Sequence, residues 1–113
     1  MGEFQPLPPT FSPPYVAVIF TARRTTSFDE QYIAMAERME ELAKEQPGYL
    51  GLESARDNDR VGVTVSYWRD RESARSWKNV AEHLSAQQVG RTQFYEWYRI
   101  RIAVVSEDWG HDN

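Results

Sequence analysis

The amino-acid sequence predicts an α+β domain whose elements follow the order β-α-β-β-α-β. Two observations indicate this order: four segments are rich in β-branched and aromatic residues, and two segments with apolar residues at helical spacing lie between them. Right-handed crossovers place the first and third strands in the centre of a four-stranded antiparallel sheet, with the others at its edges. We therefore expect a ferredoxin-like βαββαβ fold with both helices on one face of the sheet.

Composition limits the classes of function. The chain has 113 residues, a formal net charge of −4, no cysteine and two histidines, His83 and His111. Disulfides, thiol nucleophiles and thiolate metal sites are excluded, and a metal site built from histidines of one chain is not expected. An acidic chain lacks the overall charge that binds nucleic acid, and no apolar run is long enough to cross a membrane. We therefore expect a cytoplasmic protein that has no metal, no nucleic-acid partner and no membrane partner.

The two ends of the chain differ from its middle. Residues 1–14 hold five of the six prolines, which cannot donate hydrogen bonds to a sheet. These residues predict an extended or disordered leader, or alternatively an arm that lies on a partner subunit. Residues 15–105 are expected to form the domain, and residues 106–113 a polar C-terminal tail.

The first strand and the first helix follow the leader. Residues 15–23 (YVAVIFTAR) are apolar on both faces, which predicts a strand that is covered on both sides. Ser27 and Glu30 are spaced as a capping box and predict the start of the helix. Apolar residues at helical spacing continue to about Glu45, and the segment Gln46-Pro47-Gly48 should end the helix.

A hairpin, a second helix and a last strand complete the domain. Residues 49–56 and 61–68 predict two strands that a short turn joins into a hairpin. Asp70 is placed to cap a second helix, which should run to about Val89. Residues 94–105 predict the fourth strand, because aromatic and β-branched residues dominate this segment.

One face of the sheet is left uncovered by this arrangement. The first strand is apolar on both faces and the last strand carries Tyr and Trp beside Ile and Val, so a monomer would expose a large apolar patch. A homodimer with the two sheets packed face to face would cover that patch. Stacking on RNA is another use of such a face, but the third strand, VGVTVSYW, lacks the basic and aromatic pattern of RNA-binding strands.

Several short segments together resemble the antibiotic biosynthesis monooxygenase (ABM) domain family, and within it small stand-alone bacterial members. The resemblance covers residues 15 to about 105. It implies a dimeric α/β barrel, in which two ferredoxin-like units pack with their sheets inward and their helices outward. The segments that carry it are Gln46-Pro47-Gly48-Tyr49-Leu50-Gly51, Glu53-Ser54-Ala55-Arg56, Ser66-Tyr67-Trp68, Trp77-Lys78, Glu82-His83, Ala86-Gln87, Gly90-Arg91 and Tyr95.

The resemblance implies three alternative functions. The first is cofactor-free oxidation of a small aromatic or quinol-like substrate, and the second is a non-catalytic dimer that binds a hydrophobic metabolite or serves in stress. The third is haem degradation, whose enzymes resemble one another in an Asn on the first strand, a Trp on the second helix and a haem-ligating His ten residues later. Trp77 matches the Trp, but Gln87 stands at the His position and residues 15–23 contain no Asn. We therefore expect no cofactor.

A substrate pocket is expected between the helices and the sheet. His83 is the candidate general base or substrate anchor, and alternatively a histidine bonded to backbone at a helix break. Gln87 lies one turn beyond it and could face the same cavity, or be a surface amide. The expected pocket walls are aromatic residues whose alternative role is ordinary core packing: Tyr67, Trp68, Trp77, Phe94 and Tyr95.

Arg99 and Arg101 are unusual for a strand. Their spacing places them on the same face as Tyr95 and Trp97. If that face is covered, the two guanidinium groups need an anionic ligand or acidic partners. The candidate partners within the chain are Glu53 and Glu96, and His111 in the tail is assigned to no site.

Overall fold

The computed structural model of the chain describes residues 11–87 and 94–111, and for residues 85–87 it describes the backbone alone. The predicted order of six elements is confirmed. Within the described residues, no helix is both long and apolar enough to span a membrane. The elements are β1 (Tyr15–Arg24), α1 (Asp29–Glu45), β2 (Tyr49–Arg56), β3 (Val61–Trp68), α2 (Arg71–Gln87) and β4 (Tyr95–Val105).

The four strands form one antiparallel sheet in the order β2-β3-β1-β4, so β1 and β3 are central as predicted. Both helices pack on one face of this sheet. The core between them is centred on Trp68, which is completely buried and stacks on Trp77 with ring centroids 5.8 Å apart. A second cluster around Phe94 and Tyr32 lies nearer the start of α1. The domain is thus the ferredoxin-like α+β fold that the sequence predicts.

The start of α1 differs from the prediction. The N-cap residue is Phe28 rather than Ser27, and no side chain caps the helix. Phe28 has φ of 64°, in the left-handed region that a bulky residue rarely adopts. Asp29 in the first turn forms an ion pair with Arg24 at 2.5 Å, which ties the helix start to the end of β1. The capping-box prediction with Glu30 is therefore wrong, because the helix begins one residue later than predicted and Ser27 lies outside its N-cap position.

The connection from α1 to β2 requires a glycine at one position. Gly48 has φ of +84°, and a Cβ atom there would lie 2.3 Å from Ser73 Oγ. Its carbonyl accepts a hydrogen bond from the backbone of Arg69 at 2.8 Å. Asp70 Oδ1 in turn accepts from the Ser73 backbone N–H at 2.8 Å, so the predicted cap of α2 is confirmed. The predicted end of that helix, near Val89, lies outside the described residues.

A β-bulge corrects the predicted faces of β4. Arg23 pairs with Trp97 and Arg24 with Tyr95, so the register shifts by one residue between them. Tyr95 therefore lies on the helix side of the sheet, where its ring is 5.5 Å from that of Phe20. The prediction that Tyr95 shares a face with the arginines of β4 was wrong, because strict alternation does not hold across a bulge.

The other sheet face carries no helix. Phe11, which precedes β1, packs at one end of this face against Tyr15 and Tyr67, with ring centroids 5.2 and 5.8 Å away. The Tyr15 hydroxyl donates to Asp108 Oδ2 at 2.5 Å, which attaches the C-terminal segment to the same end. Trp97, at the far end, is 46% exposed. Of the predicted leader, residues 1–14, the first ten lie outside the described residues.

Candidate functional site

A cavity of about 320 Å³ lies between the helices and the sheet, where the sequence predicts a pocket. Its volume falls in the range of small-molecule sites, from about 300 to about 1,000 Å³. Alternation along the strands directs one side chain in two toward it, and the apolar stripes of both helices close the opposite side. The site is therefore formed where the two helices do not meet the sheet completely.

The walls of the cavity divide into an apolar part and a polar part. Three hydroxyl side chains on β2 and β3 project from the sheet: Ser54, Thr64 and Ser66. The apolar side chains come from both helices and from the sheet: Val18, Phe20, Ile33, Met35, Ala36, Met39, Leu52, Trp77, Ala81 and Ile100. Such a cavity suits a flat apolar molecule that carries a few oxygen substituents.

One end of the cavity is formed by Tyr32, Arg56 and Tyr95. Arg56 Nη2 donates to the Tyr32 hydroxyl at 3.1 Å. The guanidinium of Arg24 lies over the Tyr32 ring, 4.0 Å from its centroid, and that of Arg56 lies 5.4 Å from it. Both distances are within the range of cation–π contacts. The Tyr32 ring thus holds two positive charges at this end of the cavity.

Tyr95 remains protonated at this end. Its burial raises the pKa of the phenol well above the ordinary range, and its hydrogen bond with Tyr32 raises that pKa further. The Tyr32 hydroxyl accepts from Arg56 Nη2, so its own proton can be donated to another oxygen.

Two of the predicted pocket residues line the cavity, namely Trp77 and Tyr95. Trp68 lies behind Trp77, and its indole N–H donates to Ser66 Oγ at 2.8 Å. Phe94 is almost fully buried and packs edge-on against the Tyr32 ring at 6.1 Å. These two residues support the walls of the cavity without forming its surface.

Three other predicted residues lie elsewhere. Tyr67 is on the uncovered sheet face, where its hydroxyl donates to Glu53. His83 is exposed on α2 and is not among the described residues that line the cavity. Its role as a base is not tested by this placement and stays a prediction. The side chain of Gln87 lies outside the described part of the chain, and its predicted role is not tested.

Arg99 and Arg101 are exposed on the uncovered sheet face. Glu96, one of their two predicted partners, instead lies 3.4 Å from both Arg23 and Arg60. Among the described residues, no ion pair joins either of the two β4 arginines to a carboxylate of the same chain. They remain available to an anion or to a second molecule.

Sequence reasoning missed the residues that give the cavity its character: Tyr32, Met35, Met39 and Arg56. The first three have helical spacing that is equally typical of ordinary core. Arg56 stands at the end of a strand, next to turn residues, where an exposed arginine is common. One signal was present, because Arg56 has the same strand parity as Leu52 and Ser54, which face the helices.

The residues of the cavity do not match the haem-degrading branch. That branch requires a histidine ten residues after the tryptophan, and no histidine is among the described residues that line the cavity. Nor do the described residues contain a cluster of three or more His, Asp or Glu side chains suited to a metal ion.

Comparison with known proteins finds one matching family model and two proteins of similar sequence. The family model for antibiotic biosynthesis monooxygenase matches residues 16–89. YqjZ, an uncharacterized protein of Bacillus subtilis, is 45% identical over 96 residues, which are 85% of this chain and 83% of that protein. Jasmonate monooxygenase of Pyricularia oryzae is 29% identical over 92 residues, which are 80% of this chain but 43% of that protein.

Solved structures share the fold at low sequence identity. Protein NE2512 of Nitrosomonas europaea has a TM-score of 0.68 at 10% identity and covers 88% of this chain and 97% of that one. SnoaB, a cofactor-independent oxygenase from Streptomyces nogalater, has a TM-score of 0.62 at 13% identity and covers 87% of this chain and 97% of that one. At these identities the likeness shows the fold alone.

Proposed function

The chain belongs to the antibiotic biosynthesis monooxygenase family, and on that premise we propose that it oxidises a small aromatic or quinol-like molecule without a cofactor. The observation that carries this proposal is the cavity of about 320 Å³, which is apolar along its walls and polar at the Tyr32–Arg56 end. The name of one relative, a jasmonate monooxygenase, supports an oxygenase reaction.

Such a reaction needs a substrate that can supply its own electrons. An activated CH₂ group conjugated with a phenolate balances as CH₂ plus O₂ giving C=O plus H₂O, with four electrons passing from the carbon to dioxygen. The protein must then favour the deprotonated substrate, exclude water and place the reacting carbon where dioxygen can reach it.

Each part of the cavity supports one of these tasks. Arg56 carries a positive charge that stabilises an anionic substrate at this end of the cavity, and the Tyr32 hydroxyl can donate a hydrogen bond to its phenolate or enolate oxygen. The Tyr95 ring packs edge-on against the Tyr32 ring, with centroids 6.0 Å apart, and supports it in place. Trp77 and Met39 form an apolar wall against which a flat ring can pack.

The protein is proposed to act as a homodimer through its uncovered sheet face. One row across this face runs Glu53, Val65, Ile19, Arg101 in the order of the strands. The centre of the row is apolar, while one edge of the sheet is acidic and the other is basic. A face of this kind is complementary to a second copy of itself.

The charges select one orientation of the two copies. A twofold axis that runs along the strands, between two stacked sheets, places β4 of one copy opposite β2 of the other at the same height. Glu53 then faces Arg101 of the second copy, and the pair occurs twice. An axis across the strands would instead place β4 over β4, bringing basic edges together.

Oxygen consumption tests the proposed reaction. Purified protein is incubated with a panel of quinols, anthrones and polyphenols in an oxygen electrode, and products are analysed by mass spectrometry under ¹⁸O₂. The proposal expects one ¹⁸O atom in the ketone or quinone product of at least one substrate. Ligands that bind and stabilise the fold, with no oxygen uptake across the panel, would instead support a non-catalytic binding protein.

A further inference from the structure

We infer that the cavity takes a ligand with a carboxylate group on an apolar ring, and that this carboxylate is held at the Arg56 end. The inference rests on the proposed function, because it names the class of molecule that the same cavity would bind. It follows from the positions of the charged groups along the cavity and from a small recess beside it.

Some charged side chains that line the cavity form ion pairs with neighbouring residues, whereas Arg56 forms none within the described part of the chain. Lys78 Nζ lies 3.1 Å from Glu82 Oε1, and Glu40 lies 3.9 Å from a lysine one turn further along α1. Arg56 takes part in no ion pair among the described residues, and its polar contact there is a neutral tyrosine hydroxyl. Since a guanidinium has five N–H donors, Arg56 has both charge and donors left for an anion.

The acidic groups stand away from that end. Glu37 and Glu40 line the cavity from α1, and helix geometry places them about 7.5 and about 12 Å along the axis from Tyr32. Glu40 and Lys78 are each paired with an opposite charge, so among the described residues the uncompensated charges of the lining are Glu37 and, at the other end, Arg56. An elongated ligand with one anionic group is oriented by these two charges, with the anion toward Arg56.

A recess of about 10 Å³ opens beside Arg56 and shares the walls Tyr32, Thr64 and Tyr95 with the main cavity. This is about the space that one water-sized group occupies. Arg24 lines the recess. Its Nη2 is paired with Asp29, but its Nε is buried without a hydrogen-bond partner in the described part of the chain. Such a group is costly to leave unpaired, so it points to an oxygen atom of a ligand.

The recess also depends on a glycine. A Cβ atom on Gly62 would lie 3.2 Å from Arg56 Nη1. The absence of a side chain at Gly62 thus lets the guanidinium lie close to β3. One carboxylate oxygen can then meet Arg56 Nη, and the other can enter the recess toward Arg24 Nε. A planar, two-oxygen anion fits two guanidinium donors better than a single hydroxyl does.

Calorimetric titration with a matched pair of probes tests the inference. Naphthalene-2-carboxylate and naphthalene-2-carboxamide have the same ring and nearly the same shape, but only the first is charged. Wild-type protein should bind the carboxylate about tenfold more tightly. Arg56→Gln should abolish that preference while keeping the carboxamide affinity. Arg75→Gln, which removes the same charge from an exposed site on α2 outside the cavity, should leave the preference unchanged.

The outcomes separate this inference from the proposed function. Equal affinity of wild-type protein for both probes would overturn the anion site while the cavity remained a ligand site. A preference that Arg75→Gln reduces as much as Arg56→Gln would show a general charge effect and would also overturn it. If neither probe binds, the ligand site itself fails, and the inference fails with it.

Discussion

Arg56 at the end of β2 and Tyr32 at the start of α1 are joined by a 3.1 Å hydrogen bond from Arg56 Nη2 to the Tyr32 hydroxyl. The two residues are 24 positions apart in sequence, and the bond closes one end of the cavity. The same tyrosine ring lies 4.0 Å from the Arg24 guanidinium. A single aromatic side chain therefore connects the helix to two strands at the polar end of the site.

Tyr32→Phe removes the hydroxyl while keeping the ring. The substrate oxygen loses a donor, and Arg56 loses its acceptor. We expect kcat/KM in oxygen uptake to fall by about tenfold or more, with the fold retained. His83→Ala is the matched comparison and should keep the wild-type rate, because His83 is exposed outside the cavity. A larger loss in His83→Ala than in Tyr32→Phe would support the sequence prediction of a histidine base instead.

Gly48→Ala should lower the free energy of unfolding. The left-handed backbone at this position costs about 1–2 kcal/mol for a residue with a side chain, and the new Cβ would also collide with Ser73. Urea denaturation measures the change. Gly110→Ala is the control, since a Cβ atom there has no neighbour within 4 Å. Equal stability of the two variants would show that the turn accommodates a side chain.

Stability should fall at alkaline pH, partly through Tyr15. The hydrogen bond to Asp108, followed by burial, raises the pKa of Tyr15 from 10.0 to about 12. Because the folded state holds this proton more tightly, its contribution is complete below pH 10 and is lost as pH rises from 10 to about 12.

Urea unfolding of wild type, Tyr15→Phe and Asp108→Asn across this pH range measures the effect. Both variants should lose less stability with rising pH than the wild type does. Identical pH dependence of all three proteins would contradict the assignment to the Tyr15–Asp108 contact.

The proposed dimer predicts a charge-swap result. Glu53→Arg alone or Arg101→Glu alone places like charges opposite one another twice in the interface, and each should raise the dissociation constant about tenfold. The double variant restores opposite charges and should recover most of the affinity. Sedimentation equilibrium measures all four proteins. A double variant as weak as the sum of the singles would exclude this orientation, and a monomeric wild type would exclude the dimer.

The sequence predicts the fold well because the fold depends on periodicity. Alternation and helical spacing are regular over most of β1, β3 and α1, and strand order follows from the handedness of crossovers. The local errors lie where the backbone departs from regular geometry. The chain turns at Phe28, which places Ser27 outside the N-cap of α1, and the bulge beside Arg24 turns Tyr95 to the other face.

The site is less predictable than the fold, because it depends on tertiary contacts that local sequence patterns do not show. Trp77 and Tyr95 are found because large aromatics are natural walls of a pocket. Arg56 and Tyr32 gain their role only when the end of β2 meets the start of α1, and strand parity indicates the face of Arg56 but not that meeting. His83 is the one histidine between residues 15 and 105, which made it a natural candidate. In the structure it lies on the exposed side of α2.

Methionine methyl signals test most directly whether the cavity is the ligand site. The chain has three methionines, of which Met35 and Met39 line the cavity and Met1 lies in the leader segment. Protein labelled with ¹³C at the methionine methyl groups is titrated with naphthalene-2-carboxylate and followed by NMR. Ring currents of a bound naphthalene should shift the Met35 and Met39 signals and leave Met1 unchanged. Saturating binding that moves neither Met35 nor Met39 would place the ligand elsewhere and contradict the account.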